Sequence, residues 1–399
     1  MRGSLEGIFF LLIVILILIC QPFAGSLLIP SAVRILIFLL LTVSFITLSL
    51  KKRKIFYFVS AFVPLAMVLT VLWYKNSPQS IPSIFYFLAF IAMAVGLLIS
   101  MRRMPLLGYL LTNFLFFLTI ILAVWSVMAC VAFNFHLVPF RMVNLGGFDY
   151  YNFYYNPLLG YIDPRPYENG IIGRASVFMF EPSFMGWFLT TNFFLIDKYV
   201  KTRGWRYILS KLITFLGIIG TFSTGAIAVM VMVISLNVFF FCLRKVGFRE
   251  RTVNIIALIF IIGLPLAYLL VPKDNIGSAV GSSSLGDREE RMQNSLFILG
   301  TSGGKDILLG HAPGYIENAD FGKGESNQYM KMVVEEGVLL TILILGFIAY
   351  CTKRHRSYML ANLLFLNSVI IVWTPLFLIN ILVCKWLETS QEKEIPVKI

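Results

Sequence analysis

The stretch that decides the fold class is PLLGYLLTNFLFFLTIILAVWSVMACVAF, residues 105–133, an apolar run without a charged side chain. An α-helix crosses the roughly 30 Å hydrocarbon layer of a membrane with about 20 apolar residues. The run is longer than this requirement, and no charge interrupts it. We therefore predict that residues 105–133 form a membrane-spanning helix.

Comparable apolar runs recur along the whole chain. Hydrophobic residues make up 58% of the sequence and charged residues 13%, about half the charged fraction of a typical soluble domain. We predict membrane spans near 8–24, 31–50, 55–73, 84–101, 105–133, 176–197, 207–222, 224–243, 254–272, 329–350 and 357–386. The last span contains Pro375 and is either one tilted helix or two short helices. The sequence therefore predicts an all-α polytopic integral membrane protein with 11–12 transmembrane helices.

Positive charges are concentrated in alternate short segments between these runs. Nineteen of the 33 Lys and Arg residues fall in such segments, beginning with Arg2, 51–54 and 102–103. Cytoplasmic loops of membrane proteins carry this excess of positive charge. Topology therefore explains the net charge of +13, and we expect no nucleic-acid partner. The same pattern places the amino terminus inside and two long segments, 134–175 and 273–328, outside.

The runs and the long segments divide the chain into five parts. The first is an amino-terminal transmembrane bundle of about five spans (1–133), followed by the first outward segment (134–175). Central transmembrane helices (176–272) and the second outward segment (273–328) come next. The carboxy-terminal part (329–399) contains the last transmembrane helices and a short tail.

The boundary between the first outward segment and the next run is GRASVFMFEPS, residues 173–183. Arg174 lies just outside the predicted helix, and Glu181 lies near its start, where Pro182 suits the first helical turn. Charges close to the membrane core cost free energy and are commonly retained for function. We therefore predict catalytic roles for Arg174 and Glu181. The alternative is a snorkelling arginine with a structural carboxylate at the interface.

The second outward segment contains a candidate anion site. A helix is predicted near 288–299, and it would place Arg288 and Arg291 on one face. Two guanidinium groups near a helix amino terminus match the oxygens of a phosphate. Both arginines are therefore predicted catalytic residues, and a solvated helix with local ion pairs is the alternative. Acidic residues of the same stretch are candidates for a divalent ion, but the chain lacks a DxD motif, so we expect no metal site and no cofactor.

Polar and aromatic side chains at the water-facing ends of the helices are candidate substrate-binding residues. They are Tyr150, Tyr154, Ser223, His311, Glu325, Asn327, Tyr329 and Glu335. Aromatic faces suit the CH-rich faces of sugars, although an interfacial aromatic belt explains the two tyrosines of the first segment equally well. Close packing of a helical hairpin is the alternative for Ser223. Either Ser326 or Asn327 would also cap the next helix, and Glu335 would also pair with Lys331.

These motifs, in this order, resemble those of the bacterial polysaccharide polymerase and O-antigen ligase superfamily of integral membrane glycosyltransferases. The resemblance rests on the stretch from Arg174 to Phe-Glu-Pro-x-Phe, on Phe222-Ser-x-Gly225, on Arg291 followed by Gly310-x-x-x-Gly314, and on Asn327-x-Tyr329 followed by Glu335 and Gly337. It covers roughly residues 170–340, within a similar pattern of spans over the whole chain. Ligases of this superfamily typically have histidine before the asparagine, and Ser326 here favours the polymerase branch.

The resemblance implies a GT-C-like fold with two long periplasmic loops and an active site at the periplasmic face of the bacterial inner membrane. It implies polymerisation of undecaprenyl-pyrophosphate-linked repeat units into O-antigen or a related surface polysaccharide by metal-independent glycosyl transfer. The expected partners are undecaprenyl-pyrophosphate-linked glycans and membrane lipid, together with a chain-length regulator protein where the pathway has one. In this scheme Arg174, Arg288 and Arg291 hold the pyrophosphate, and Glu181, or alternatively Glu325, activates the acceptor hydroxyl.

Three alternatives remain. An O-antigen ligase would transfer the finished glycan to a lipid A core, and the departure at Ser326 argues against it. A flippase or transporter would line its spans with charges near the membrane midplane, whereas Arg34 is one of very few charges within a predicted span. A non-catalytic scaffold of an envelope assembly complex is the third alternative.

Overall fold

The computed structural model of the chain describes residues 2–23, 29–49, 63–64, 66–75, 77, 81–144, 152–167, 170–200, 204–249, 252, 256, 282–318 and 327–392. This described part is mostly helical. Its helices are α1 Arg2–Ile19, α2 Ser31–Ser49, α3 Ala66–Lys75, α4 Ile81–Arg103, α5 Pro105–Asn134, α6 Pro182–Tyr199, α7 Trp205–Gly220, α8 Thr224–Lys245, α9 Ser282–Thr301, α10 Gly304–Leu309, α11 Tyr315–Asn318, α12 Gln328–Glu335, α13 Gly337–Thr352, α14 Arg356–Phe365 and α15 Pro375–Glu392. The predicted span near 254–272, apart from Ile256, and the candidate residues Tyr150 and Glu325 lie outside the described residues.

Within the described residues, three helices are long and apolar enough to cross a membrane, namely α4, α5 and α8. Shorter apolar helical segments are Leu5–Ile19, Val33–Ser44, Ala66–Lys75 and Gly337–Thr352. The prediction of a largely helical protein is therefore confirmed, and the length and composition of these three helices are compatible with membrane association. The total of 11–12 spans stays a prediction.

Helix α5 coincides with the run that decides the fold class, and it packs closely on α7. Pro105 occupies its first turn, where the missing N–H has no intrahelical partner to lose. Gly217 of α7 lies against Ala123, where an added Cβ would come within 2.7 Å of the Ala123 backbone. The Ser126 hydroxyl donates a 2.9 Å hydrogen bond to the Gly217 carbonyl. Small residues therefore allow the two helix backbones to approach each other.

The first outward segment folds into a sheet that the all-α prediction missed. Strands β1 Arg141–Asn144, β2 Asn152–Asn156, β3 Gly160–Tyr167 and β4 Gly170–Val177 pair antiparallel in the order β1-β2-β3-β4. The β2–β3 turn is stabilised by Asn156, whose side-chain oxygen accepts hydrogen bonds from the N–H groups of Leu158 at 2.9 Å and Leu159 at 3.2 Å. The all-α prediction is wrong here because turn chemistry and cross-strand pairing, rather than apolar periodicity, determine this segment.

Two predicted spans are interrupted in the structure, and a third begins later than predicted. The run near 329–350 divides at Glu336 into α12 and the apolar α13. The run near 357–386 divides into α14 and α15, with Pro375 as the first residue of α15. The two-helix alternative is therefore confirmed for the last run. Helix α6 begins at Pro182 rather than at 176, because residues 176–177 belong to β4.

Candidate functional site

A cavity of about 430 Å³ lies among helix ends of the described part of the chain. Its walls come from the residues after α1, from α2 and α4, from α12, and from the segments 313–317 and 370–374. Its charged lining residues are Arg34, Glu317, Lys331, Glu335 and Glu336. Of the predicted site residues whose side chains the structure describes, Glu335 alone lines the cavity. A cavity of this size with a few convergent polar groups is typical of a ligand-binding site.

Lys331 is the centre of a charged cluster on this cavity. Its ammonium group is paired with the carboxylate of Glu317 and lies 3.9 Å from the carboxylate of Glu335, four residues along the helix. The backbone N–H of Ile316 donates a 3.1 Å hydrogen bond to Glu335, which is 1% exposed. The predicted pairing of Lys331 with Glu335 is therefore confirmed. Glu317 is an additional partner that sequence spacing did not indicate.

Burial controls the ionisation of this cluster, which precedes the apolar helix α13. Burial raises the pKa of Glu335 to about 8, although Lys331 acts in the opposite direction. Burial also raises the pKa of Glu336 well above its ordinary value, and the neighbouring Glu335 adds to the effect. Burial is the largest influence on the pKa of Glu317 and raises it. The charge and hydrogen bond of Lys331, together with hydrogen bonds from Glu335 and the backbone, outweigh burial and leave that pKa below its ordinary value. Burial therefore favours the neutral forms of Glu335 and Glu336, whereas the interaction with Lys331 favours the ionised form of Glu317.

A close backbone contact between two glycines fixes the junction of α12 and α13. Gly310 follows α10 with a φ of 79°, and Gly337 begins α13 with a φ of 82°. A Cβ on Gly310 would lie 2.2 Å from the carbonyl oxygen of Glu335, and one on Gly337 would lie 2.4 Å from the nitrogen of Gly310. Glycine alone permits this φ and this approach without strain. The contact brings the motifs at 310–314 and 327–337 together and positions Glu335 beside the cavity.

Asn327 and Tyr329 hold α12 in place. The Asn327 side-chain oxygen accepts hydrogen bonds from the N–H groups of Tyr329 at 3.0 Å and Met330 at 3.3 Å. The Tyr329 hydroxyl donates a 2.7 Å hydrogen bond to the Leu363 carbonyl. The predicted capping role of Asn327 is therefore confirmed. Neither residue lines the cavity, and their contact with a substrate stays a prediction.

His311 stabilises the segment that forms one wall of the cavity. Its ring stacks on Tyr315 with the ring centroids 4.5 Å apart, and its Nε2 lies 2.7 Å from the Ser302 hydroxyl. Burial lowers the pKa of His311, and Asp306 opposes this effect. The ring is therefore neutral at pH 7. His311 does not line the cavity itself, so its contact with substrate stays a prediction.

Arg174 and Glu181 lie outside the cavity wall. Arg174, on β4, is paired with the carboxylate of Asp163 on the neighbouring strand β3. Glu181 immediately precedes α6, and its carboxylate accepts a 2.8 Å hydrogen bond from the Ser183 hydroxyl. Because its guanidinium already has a carboxylate partner, Arg174 would have to exchange that partner in order to bind a phosphate. The predicted catalytic roles of both residues stay predictions.

Two further predicted residues have packing roles in the structure. Ser223 caps α8, where its hydroxyl accepts a 3.4 Å hydrogen bond from the Ala226 N–H. Tyr154 lies on β2 and packs on Phe133 of α5, with the ring centroids 5.1 Å apart. The arrangement of Ser223 agrees with its packing alternative, whereas the aromatic-belt alternative for Tyr154 is not tested. A role in sugar binding stays a prediction for each.

Arg288 and Arg291 both lie on helix α9. The predicted helix near 288–299 is confirmed, but it begins at Ser282 rather than near Arg288. The two arginines are therefore in the body of the helix, where the backbone N–H groups are already paired. They do not share its amino-terminal anion site. Arg291 does not line the cavity, and the side chain of Arg288 lies outside the described part of the structure.

Four charged residues of the cavity were not predicted as site residues, namely Arg34, Glu317, Lys331 and Glu336. A charge inside an apolar run is a signal of function, and this signal singles out Arg34. Lys331 is four residues before Glu335, a spacing that is typical of an ordinary ion pair along one helix. This spacing therefore gave no indication that Lys331 lines the cavity. Glu336 carries no such signal, because its position depends on the non-local contact between Gly310 and Gly337.

The fold and the cavity define a mostly helical, membrane-associated protein with a charged ligand-sized cavity. No protein-family model, no curated protein and no solved structure matches the chain. Within the described ranges, no group of three or more His, Cys, Asp or Glu side chains is arranged to hold a metal ion. The chemistry of the cavity residues is therefore the basis for a functional assignment.

Proposed function

We propose that this protein is a membrane glycosyltransferase that polymerises undecaprenyl-pyrophosphate-linked repeat units into O-antigen or a related surface polysaccharide. The proposal places the reaction at the periplasmic face of the bacterial inner membrane, in a GT-C-like fold with 11–12 spans. The observation that carries it is the cavity in which Lys331 and the buried carboxyls Glu335 and Glu336 meet. The motif resemblance adds support, because the stretches around Gly310 and Gly337 are in contact.

Glycosyl transfer from a lipid pyrophosphate needs a cation for the leaving group and a base for the acceptor. The acceptor hydroxyl oxygen attacks the anomeric carbon of the donor sugar, and the bond from that carbon to the pyrophosphate oxygen breaks. Lipid pyrophosphate leaves with the bonding electrons, and the hydroxyl proton passes to a carboxylate. Lys331 supplies positive charge for the leaving group, and one preorganised contact of this kind contributes about 3–4 kcal/mol. Glu335 is the proposed base.

Glu335 suits this role because of its position and its ionisation. It lines the cavity, whereas Glu181 does not. Its pKa of about 8 lies about one unit above neutral pH, so a minority of molecules carry the ionised carboxylate that accepts the proton, and a pKa near the operating pH is what general-base catalysis requires. After it accepts a proton, the neutral carboxyl is the form that its buried surroundings favour. The proposal therefore transfers the role of base from Glu181 to Glu335.

A gene deletion in the host, complemented with variants, tests the proposal. Surface and lipid-linked glycans are separated on gels, and deletion is expected to leave a surface capped with one repeat unit and no long ladder. Glu335→Gln retains the side-chain volume but removes the base, so we expect at least about 100-fold less polymer than wild type. Glu290→Gln alters an exposed carboxyl on α9 and is expected to restore the full ladder.

Other results of the same experiment would contradict the proposal. Long chains that accumulate on undecaprenyl pyrophosphate, with none at the surface, would identify a ligase. Single repeat units trapped on the cytoplasmic side would identify a flippase. An unchanged glycan profile would favour the non-catalytic scaffold.

The thermal stability of the protein is expected to depend on the ionisation of Glu335. Its pKa is about 8 in the folded protein and ordinarily 4.5, so the folded state binds this proton more tightly than the unfolded state does. The stability contributed by the proton is fully present below pH 4.5 and is lost as the pH rises through about 8. The Tm of detergent-solubilised wild-type protein should therefore fall with increasing pH more steeply than the Tm of Glu335→Gln. Parallel Tm curves for the two proteins would contradict this assignment.

A further inference from the structure

Arg34 lies in the apolar helix α2 and lines the cavity. One turn along the helix, the buried Phe38 packs on Tyr86 and Phe90 of α4, with ring centroids 5.3 Å and 6.0 Å apart. Phe90 in turn contacts Trp373, 5.4 Å away between ring centroids. Tyr86 and Trp373 also line the cavity. This aromatic packing fixes α2 against the other walls and thereby holds Arg34 at the cavity.

Arg34 differs from Lys331 in having no counter-charge among the described residues. Its Nε atom is buried without a hydrogen-bond partner there, and no ion pair joins its guanidinium to a described carboxylate. Lys331, in contrast, is paired with Glu317 and lies near Glu335. The Glu336 carboxyl is fully buried, and its side-chain interaction is with Trp373 rather than with Arg34. A cation without a counter-charge in largely apolar surroundings raises the free energy of the protein, and an anionic ligand would lower it again.

We propose that Arg34 binds the diphosphate of the lipid-linked sugar donor. This inference rests on the proposed function and adds to it the residue that recognises the donor head group. A guanidinium presents a planar fork of N–H donors that matches phosphate oxygens in a bidentate manner. Lys331 supplies a second positive charge on the same cavity, whose volume of about 430 Å³ is within the range of small-molecule sites. The apolar surroundings of Arg34 suit a head group that carries a lipid tail.

The same chemistry would also recognise free pyrophosphate, so the experiment uses both probes. Full-length protein in lipid nanodiscs is titrated with undecaprenyl pyrophosphate and, separately, with inorganic pyrophosphate, and binding is followed by microscale thermophoresis. We expect Arg34→Ala to weaken binding of the lipid probe about 10- to 100-fold, since hydrogen bonds to charged groups have this effect. Arg34→Lys keeps the charge and should retain part of the affinity. Arg103→Ala, at an exposed arginine that ends α4, is the matched control and should bind as wild type does.

The two probes and the variants distinguish the outcomes. Competition by inorganic pyrophosphate would assign recognition to the diphosphate itself, whereas binding of the lipid probe alone would assign it to the diphosphate with its tail. Unchanged affinity in Arg34→Ala, or no binding of either probe to wild type, would overturn the inference. If Arg34→Ala proves unstable in thermal melts, Arg34→Gln replaces it, and equal affinity of Arg34→Gln and Arg34→Lys would overturn the inference as well.

Failure of this inference is distinguishable from failure of the proposed function. If gene deletion leaves the surface glycans unchanged but binding of the lipid probe still depends on Arg34, the proposed diphosphate site is supported and the proposed glycosyl transfer is contradicted. If deletion removes the ladder but Arg34→Ala restores it and binds the lipid probe normally, the proposed polymerase function is supported and the proposed role of Arg34 is contradicted.

Discussion

Lys331→Met is expected to reduce polymer formation about 100- to 1,000-fold, as the loss of a preorganised transition-state contact does in other enzymes. The substitution keeps an apolar stem of similar length and removes the ammonium that pairs with Glu317 and lies 3.9 Å from Glu335. The leaving pyrophosphate would then develop its charge without this cation. The measurement is incorporation of lipid-linked repeat units into long chains by membranes from a deletion strain that expresses each variant at matched levels.

A structural role of Lys331 can be separated from its chemical role. Breaking a fully buried ion pair costs about 3–5 kcal/mol. The Glu317 side chain is 46% exposed, so solvent screening makes the loss of its pair with Lys331 smaller than this, and protonation of Glu335 reduces the cost further. The double variant Lys331→Met/Glu317→Gln removes both charges of the closest pair and should regain most of the lost Tm, but no polymer. Lys305→Met, at an exposed lysine of α10, is the control and should leave both quantities unchanged. Polymer formation that recovers together with the Tm in the double variant would contradict a direct role for Lys331.

The helices of this protein could be predicted because apolar runs in a membrane protein permit few other structures. A backbone in lipid must satisfy its own hydrogen bonds, and the run at 105–133 therefore matches α5 closely. The sheet formed by β1–β4 could not be predicted in the same way. Its register depends on cross-strand pairs such as Asp163 with Arg174 and on the turn at Asn156, and none of these contacts produces an apolar period.

Part of the candidate site could be predicted from the sequence. Some of its residues belong to local motifs, whereas others reach the cavity only through packing between distant segments. Local motifs pointed to Glu335, to the capping residue Asn327 and to the glycines at 310 and 337. The cavity also needs Arg34, which is far away in the sequence, and its place beside Lys331 follows from the packing of α2 on α4. A contact between segments so far apart cannot be inferred from a single sequence. It indicated only that a charge within an apolar run requires an explanation.

Gly337→Ala is expected to abolish polymer formation and to destabilise the protein. The added methyl group would lie 2.4 Å from the Gly310 nitrogen and 2.5 Å from the Leu308 carbonyl oxygen. A positive φ held by a non-glycine residue costs about 1–3 kcal/mol, and forcing extra atoms into a packed site costs about another 1–3 kcal/mol. Relief of the clash would move the junction of α12 and α13 and, with it, Glu335. The measurements are the Tm of purified protein and the glycan ladder of the complemented deletion strain.

Matched glycine substitutions determine whether this contact positions the site. Gly300→Ala and Gly304→Ala place a methyl group where no atom lies within 4 Å, so both variants should retain the wild-type Tm and ladder. Gly310→Ala should behave like Gly337→Ala, since its Cβ would lie 2.2 Å from the Glu335 carbonyl oxygen. Because the two glycines share one contact, the loss of stability in the double variant should be smaller than the sum of the two single losses. Additive losses, or a normal ladder in either single variant, would mean that Glu335 does not depend on this contact for its position.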